Sequence, residues 1–174
     1  MITQNISTFR TGNSELGEND ILQVRQINMH HAKNSTELLN DWLLKNTAPK
    51  KGKSNIPIEL KLALIQEPYL GTSTTVIQNF DKNLNVFQHA GRKKTRAGII
   101  TPKSLPFWLL TQFTNEDTVT IAIKSLNKIF VFCSLYMDYK NEPPPRIFRE
   151  LTNFCRNKQY YLITGSDVNG HNML

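Results

Sequence analysis

The stretch that decides the fold is Tyr160-Tyr161-Leu162-Ile163-Thr164-Gly165-Ser166-Asp167-Val168-Asn169-Gly170-His171. Its first five residues are aromatic, aliphatic or β-branched, a composition that predicts a strand. Beyond that strand, an acid, an amide and an imidazole follow at alternate positions: Asp167, Asn169 and His171. If the backbone stays extended, these three side chains lie on one side of the chain. The pattern therefore predicts a chemically active edge at the carboxyl end of a strand.

Two other predicted strands also end in polar residues. Residues 21–28 alternate in hydrophobicity and end at Asn28, and the largely apolar run 60–66 ends just before Glu67. A run of the second kind is typical of a central strand that is covered on both faces. Polar groups from three strand ends can meet at one edge of a sheet, where they suit a hard cation and a phosphate.

The remaining sequence predicts an α/β layered fold with hairpins and mixed strand directions. Residues 1–20 read as a flexible arm, and residues 21–174 read as one domain without an internal repeat. One helix is expected from an N-cap at Asn34, with Leu38, Leu39 and Trp42 on its apolar face. A second helix is expected after Pro145. Further strands are predicted at residues 85–89, 97–100, 107–113, 118–124 and 129–135.

The chain is basic, and this favours a polyanionic partner. Its 174 residues include 21 Lys and Arg against 14 Asp and Glu, which gives a net charge of +7. Such a balance favours nucleic acid over a membrane surface, although an ordinary basic protein remains an alternative. A basic turn lies between two of the predicted strands, and its cations are Arg92, Lys93, Lys94 and Arg96. Such a turn suits phosphate contacts by a projecting loop, and residues 50–53 can add a second patch. The alternative for both segments is a solvated loop.

The two cysteines predict no disulfide framework. Cys133 and Cys155 lie in predicted core elements and read as small buried hydrophobic residues of a reducing compartment, and their spacing fits no zinc site. The first residues lack an apolar signal core, and no stretch is long and apolar enough to span a bilayer. We therefore expect a nuclear or cytoplasmic protein without a membrane partner.

Four segments stand in order along the chain: LQVRQIN at 22–28, LIQEPY at 64–69, SLYMD at 134–138 and ITGSDVNGH at 163–171. Together they resemble the endonuclease/exonuclease/phosphatase superfamily, whose fold is the DNase I-like layered α/β sandwich. Their sequences are most similar to the apurinic-endonuclease-like domain of non-LTR (LINE-type) retrotransposons. The match covers residues 21–174 and about the first two thirds of the family domain. The resemblance thus implies a sandwich that lacks the C-terminal part of its second sheet and the late Asp-His motif.

The resemblance implies a role for each matched residue. Glu67 is expected to bind Mg²⁺ (or Mn²⁺), Asp167 to handle the attacking water, and Asn28 to order the network around them. Tyr136 and Asn169 are expected to hydrogen-bond the phosphate. Read in isolation, the same residues have simpler explanations: an ion-paired loop glutamate, Asx residues that form turns, or a core tyrosine.

The motifs give less support for the interpretation of four more residues. The repair-enzyme relatives carry an acid two positions after the first asparagine, whereas this chain has His30, and imidazole is a poor ligand for Mg²⁺. His30 and His31 are therefore expected at the surface or facing DNA. His171 is expected to contact DNA or the phosphate, and Asp138 is expected to be structural.

Together these expectations describe an enzyme: a Mg²⁺-dependent endonuclease that nicks target DNA for retrotransposition. Its partners would be DNA and a downstream reverse transcriptase domain in the same polyprotein. Two alternatives stay open. The chain can be a catalytically inactive, truncated relic that at most binds nucleic acid through basic loops, or the same fold can act on phosphoinositides or another phosphoester.

Overall fold

A computed structural model describes residues 5–11, 20–45, 59–73, 75–125, 127–138 and 143–168. Within these residues the chain forms two β-sheets and two α-helices. The fold is thus mixed α/β with stacked layers, as the alternation of apolar strands and amphipathic helices predicts. No helix among the described residues is long and apolar enough to cross a membrane.

The first sheet has five strands in the spatial order β1-β2-β3-β5-β4. β2 and β3 run parallel, with Asn28 opposite Gln66, and the other neighbours are antiparallel. β3 is the central strand, and the described side chains along it, Leu60 to Gln66, are all buried. The strands are β1 (Asn5–Thr11), β2 (Asp20–Asn28), β3 (Glu59–Gln66), β4 (Leu84–Phe87) and β5 (Ala97–Pro102).

The second sheet has four strands in the order β6-β7-β8-β9. β8 and β9 are its parallel pair, and Tyr136 on β8 lies opposite Asp167 on β9. Because parallel neighbours share a direction, β8 and β9 deliver their carboxyl ends to the same edge, as β2 and β3 do. The strands are β6 (Trp108–Leu109), β7 (Thr118–Ser125), β8 (Lys128–Met137) and β9 (Tyr161–Val168).

Three apolar clusters hold four layers together in the order helix, sheet, sheet, helix. The central cluster joins the facing sides of the two sheets, for example Leu62 of β3 and Phe132 of β8. A second cluster packs α1 (Lys33–Leu44) on the outer face of the first sheet. The third packs α2 (Arg146–Lys158) on the outer face of the second sheet. Each sheet is therefore covered on both faces, which leaves its strand ends as the place for polar chemistry.

The structure corrects several sequence-based expectations. Residues 5–11 were expected in a flexible arm, but they form β1, because Ile, Thr and Phe favour a strand and an edge strand needs only one partner. Helix α1 begins after Ala32 without a side-chain cap, so Asn34 is not its N-cap, and Leu38 is 67% exposed. The last strand runs beyond Thr164 to Val168.

The strand expected at residues 107–113 is mostly absent. Only Trp108 and Leu109 pair with β7, and Thr111–Phe113 form a 3₁₀ turn. Threonine hydroxyls bond to backbone carbonyls of this segment. Thr114 Oγ1 donates to the Leu110 carbonyl, and Thr120 Oγ1 donates to the Phe113 carbonyl. Such side-chain bonds compete with a strand ladder, and sequence alternation does not reveal them.

Candidate active site

The carboxyl ends of β2 and β9 meet at one edge of the sandwich. Asn28, the last residue of β2, donates from Nδ2 to Asp167 Oδ2 on β9 at 2.6 Å. The same amide accepts at Oδ1 from the backbone N–H of His30 at 2.9 Å. Because both ends of the amide are engaged, Asn28 holds the Asp167 carboxylate in one orientation. This bond joins the two sheets and confirms that two of the three predicted strand ends converge.

Glu67 follows β3 directly and is fixed through its backbone. Its N–H donates to the Arg96 carbonyl at 2.9 Å, and its own carbonyl accepts from the N–H of His31 at 2.8 Å. The residue adopts a left-handed conformation, with φ of 46°. Its side chain is 23% exposed, and Oε2 lies 3.4 Å from Nδ1 of His30. The carboxylate thus sits at the accessible edge on a rigid backbone.

Tyr136 lies at the same edge, within electrostatic range of both carboxylates. It is opposite Asp167 in the β8–β9 ladder, and burial together with the charges of Glu67, Asp138 and Asp167 raises the pKa of its phenol. The cation of Arg96 opposes part of that shift. A phenol is protonated at neutral pH even at its ordinary pKa, and the upward shift keeps Tyr136 a hydrogen-bond donor over a wider pH range. The carboxylates of Glu67 and Asp167 both contribute to the shift of this one phenol.

A buried polar network lies directly beneath this edge, and sequence reasoning missed it. Gln66 is fully buried, and its Nε2 donates to Ser134 Oγ at 3.0 Å and to the Gly165 carbonyl at 3.1 Å. Its Oε1 accepts from Nε2 of Gln26 at 3.0 Å, and that same nitrogen donates to the Ser166 carbonyl. The sequence carried one signal for this network: polar residues interrupt the apolar strands just before the strands end. The network fixes one sheet against the other.

Gly165 allows the sheets to approach closely at this level. A Cβ placed there would lie 2.7 Å from Cγ of Gln26 and 2.9 Å from Cδ1 of Leu64. Only glycine, which lacks that atom, permits the spacing that the network uses. The glycine two residues before Asp167 therefore has a packing role.

The donor set fits a magnesium ion held by few protein ligands. Among the described ranges, no group of three or more His, Cys, Asp and Glu side chains could hold a metal ion. Mg²⁺ does not require such a cage, because it is usually bound through one or two carboxylates, waters and substrate phosphates. The partly exposed carboxylate of Glu67 has the chemistry that such a site requires.

The four cations of the basic turn have different surroundings. Arg92 is exposed, the exposed Lys93 pairs with Glu116 at 2.7 Å, and Lys94 Nζ lies 3.1 Å from Nε2 of His31. Arg96 instead bonds through its guanidinium to two carboxylates of the second sheet. The turn therefore presents Arg92, Lys93 and Lys94 to solvent, whereas the structure directs Arg96 inward. His30 and His31 are exposed, as expected.

Two predicted site residues, Asn169 and His171, lie outside the described residues, as does the second basic patch at 50–53. The predicted residues that the structure brings together are Asn28, Glu67, Tyr136 and Asp167.

Comparison with known proteins gives one informative result. No protein-family model and no curated protein matches the chain. Six chains of solved structures match it, among them the endonuclease domain of TRAS1, a telomere-specific non-LTR retrotransposon, with a TM-score of 0.59 and 23% identity. The alignment covers 86% of this chain and 59% of that one. At this identity the likeness shows a shared fold, and it confirms the predicted layered α/β class.

Proposed function

We propose that this chain is a Mg²⁺-dependent (or Mn²⁺-dependent) endonuclease domain that hydrolyses DNA phosphodiester bonds and nicks target DNA for retrotransposition. The observation that carries the proposal is the bond from Asn28 to Asp167, which joins the two sheets beside Glu67 and Tyr136. The fold that the chain shares with a retrotransposon endonuclease domain supports the same reaction class. A reverse transcriptase in the same polyprotein is the partner proposed with it.

Asp167 is the group that we assign to the attacking water. A carboxylate can orient a water and accept its proton as the oxygen attacks phosphorus. This requires a carboxylate held in one orientation, and the amide of Asn28 provides that constraint at Oδ2. Asn28 therefore positions the base and does not itself take part in proton transfer.

Tyr136 is assigned to a phosphate oxygen. Its phenol is protonated at neutral pH, and burial and the nearby carboxylates raise its pKa further. A neutral donor can hydrogen-bond an oxygen on which negative charge develops, and a fixed donor does so without reorganisation during the reaction. Asn169 is proposed as a second donor to that phosphate.

Glu67 would hold the metal, and Arg92, Lys93 and Lys94 would contact the DNA backbone. When bound, a divalent cation neutralises phosphate charge and acts as a Lewis acid. The three cations carry no base-reading pattern, and so they would supply affinity that depends on salt and not on sequence.

The test is nicking of supercoiled plasmid by the protein expressed in its natural open reading frame. Glu67→Gln should raise the Mg²⁺ concentration for half-maximal nicking by at least about 10- to 100-fold, since losing a mere supporting partner of a metal ligand already costs that much. Chelation of the metal should stop nicking by both proteins.

Glu37→Gln is the matched control, because Glu37 is 61% exposed on α1 and pairs only weakly with Lys33 at 3.7 Å. It should nick like the unchanged protein. Equal metal dependence of Glu67→Gln and Glu37→Gln would refute the assignment. Salt-sensitive DNA binding without any nicking would instead support the inactive relic, and release of phosphate from phosphoinositides would support a different substrate.

A further inference from the structure

Arg96 connects the two sheets on the side of the site opposite to the bond between Asn28 and Asp167. It precedes β5 of the first sheet, and its carbonyl accepts the N–H of Glu67. Its guanidinium reaches the second sheet, where it bonds Asp117, just before β7, and Asp138, just after β8. One residue thus contacts the backbone of the proposed metal ligand and the ends of two strands in the facing sheet.

The same guanidinium also supports Tyr136. Its carbon Cζ lies 4.9 Å from the centroid of the phenol ring, within the range of a cation–π contact. The backbone N–H of Tyr136 donates to the Asp117 carbonyl at 2.8 Å. Asp117 therefore holds the backbone of Tyr136, and Arg96, which is bonded to Asp117, holds its ring.

Arg96 differs from the other cations of the basic turn in the number of carboxylates around it. One guanidinium faces two carboxylates, and its side chain is only 28% exposed. These partners, Asp117 first, raise the pKa of Arg96 above its ordinary value. A phosphate that approached Arg96 would have to displace bonds of this kind, whereas Arg92 is exposed to solvent.

We propose that Arg96 is a positioning residue that fixes the Tyr136 phenol relative to the Glu67 carboxylate, and that it is not a phosphate ligand. The kinetic consequences of this inference rest on the proposed nuclease function, but the contacts that define it do not. Lysine cannot replace arginine here, because an ammonium lacks the planar fork that bridges two carboxylates and covers an aromatic ring.

The kinetic test compares Arg96→Lys with Arg92→Gln and with Arg149→Lys, the same exchange at an exposed position of α2. Arg96→Lys should lower kcat by about 10- to 100-fold with KM for DNA nearly unchanged, since a small misplacement of a catalytic group costs that much. Arg92→Gln should weaken DNA binding and flatten its salt dependence, and Arg149→Lys should be nearly neutral because it keeps the charge at a position that the proposed site does not use.

The spectroscopic test needs no activity. Each protein is titrated in the ultraviolet together with a version of it that also carries Tyr136→Phe. The difference between the two curves is the titration of Tyr136. Arg96→Met should raise the pKa of Tyr136, because it removes the cation that lowers it, and Asp138→Asn should lower that pKa, because it removes an anion that raises it. Thermal melting monitors the fold of each variant.

The inference fails if Arg96→Met leaves the Tyr136 titration in place and weakens DNA binding as Arg92→Gln does. Should Arg96→Met not fold, Arg96→Lys decides: weaker DNA binding with an unchanged kcat would identify a phosphate ligand. If the unchanged protein nicks no DNA, the proposed function fails while the titration still tests the contact between Arg96 and Tyr136.

Discussion

Asp167→Asn should lower the turnover of DNA nicking by about 10²- to 10⁴-fold, the range that a positioned general base contributes. The substitution preserves the shape of the side chain and its ability to accept the bond from Asn28 Nδ2. It removes the capacity to take a proton from water. The expected defect is therefore in kcat, with little change in DNA affinity or in the melting temperature.

The measurement is single-turnover nicking at saturating Mg²⁺, with Asp41→Asn as the matched control. Asp41 is an exposed residue of α1, so the same chemical change there should leave the rate unaltered. Asn28→Ala, made alone and together with Asp167→Asn, separates positioning from chemistry. If Asn28 acts through Asp167, the two losses should fall well short of additive. Full activity of Asp167→Asn would contradict the role assigned to this carboxylate.

Gly165→Ala should lower the free energy of unfolding by about 1–3 kcal/mol, the usual cost of inserting an atom into a packed core. The added Cβ would lie 2.7 Å from Cγ of Gln26 and 2.9 Å from Cδ1 of Leu64, so the sheets must move apart or the side chains must leave their positions. Either response disturbs the bond from Gln66 to the Gly165 carbonyl. Because β9 also carries Asp167, nicking should fall along with stability.

Urea denaturation measures the effect, and Gly91→Ala is the matched control. At Gly91 the three nearest atoms to an added Cβ all belong to the His89 side chain. That ring can turn away, whereas the contacts at Gly165 lie between two sheets. Equal stability losses at the two glycines would show that close sheet approach is not what position 165 requires.

The strands nearest the site were predictable because their signals are local. Residues 21–28 and 60–66 carry the alternation and the apolar run that β2 and β3 need, and the polar residues after them mark the edge. The convergence of Asn28 and Asp167 was expected from the strand ends and from the family that the four motifs resemble. The metal and the phosphate contacts stay predictions.

What the sequence did not reveal depends on partners far along the chain. Arg96 was expected to face DNA because it belongs to a run of cations, and the carboxylates that hold it, Asp117 and Asp138, lie 21 and 42 residues away. Gln66 looks like an ordinary strand residue until Gly165, 99 residues later, comes opposite it. Charge and alternation describe a residue's own segment, and so they do not identify such partners.

The left-handed backbone at Glu67 sets stability against chemistry at a single position. A residue with a Cβ in this conformation costs about 1–2 kcal/mol, and glycine would avoid that cost. Glycine at residue 67 would therefore relax the backbone and, on the proposed function, remove the metal ligand at the same time. A natural variant with glycine there is expected to keep the fold and to have lost DNA cleavage.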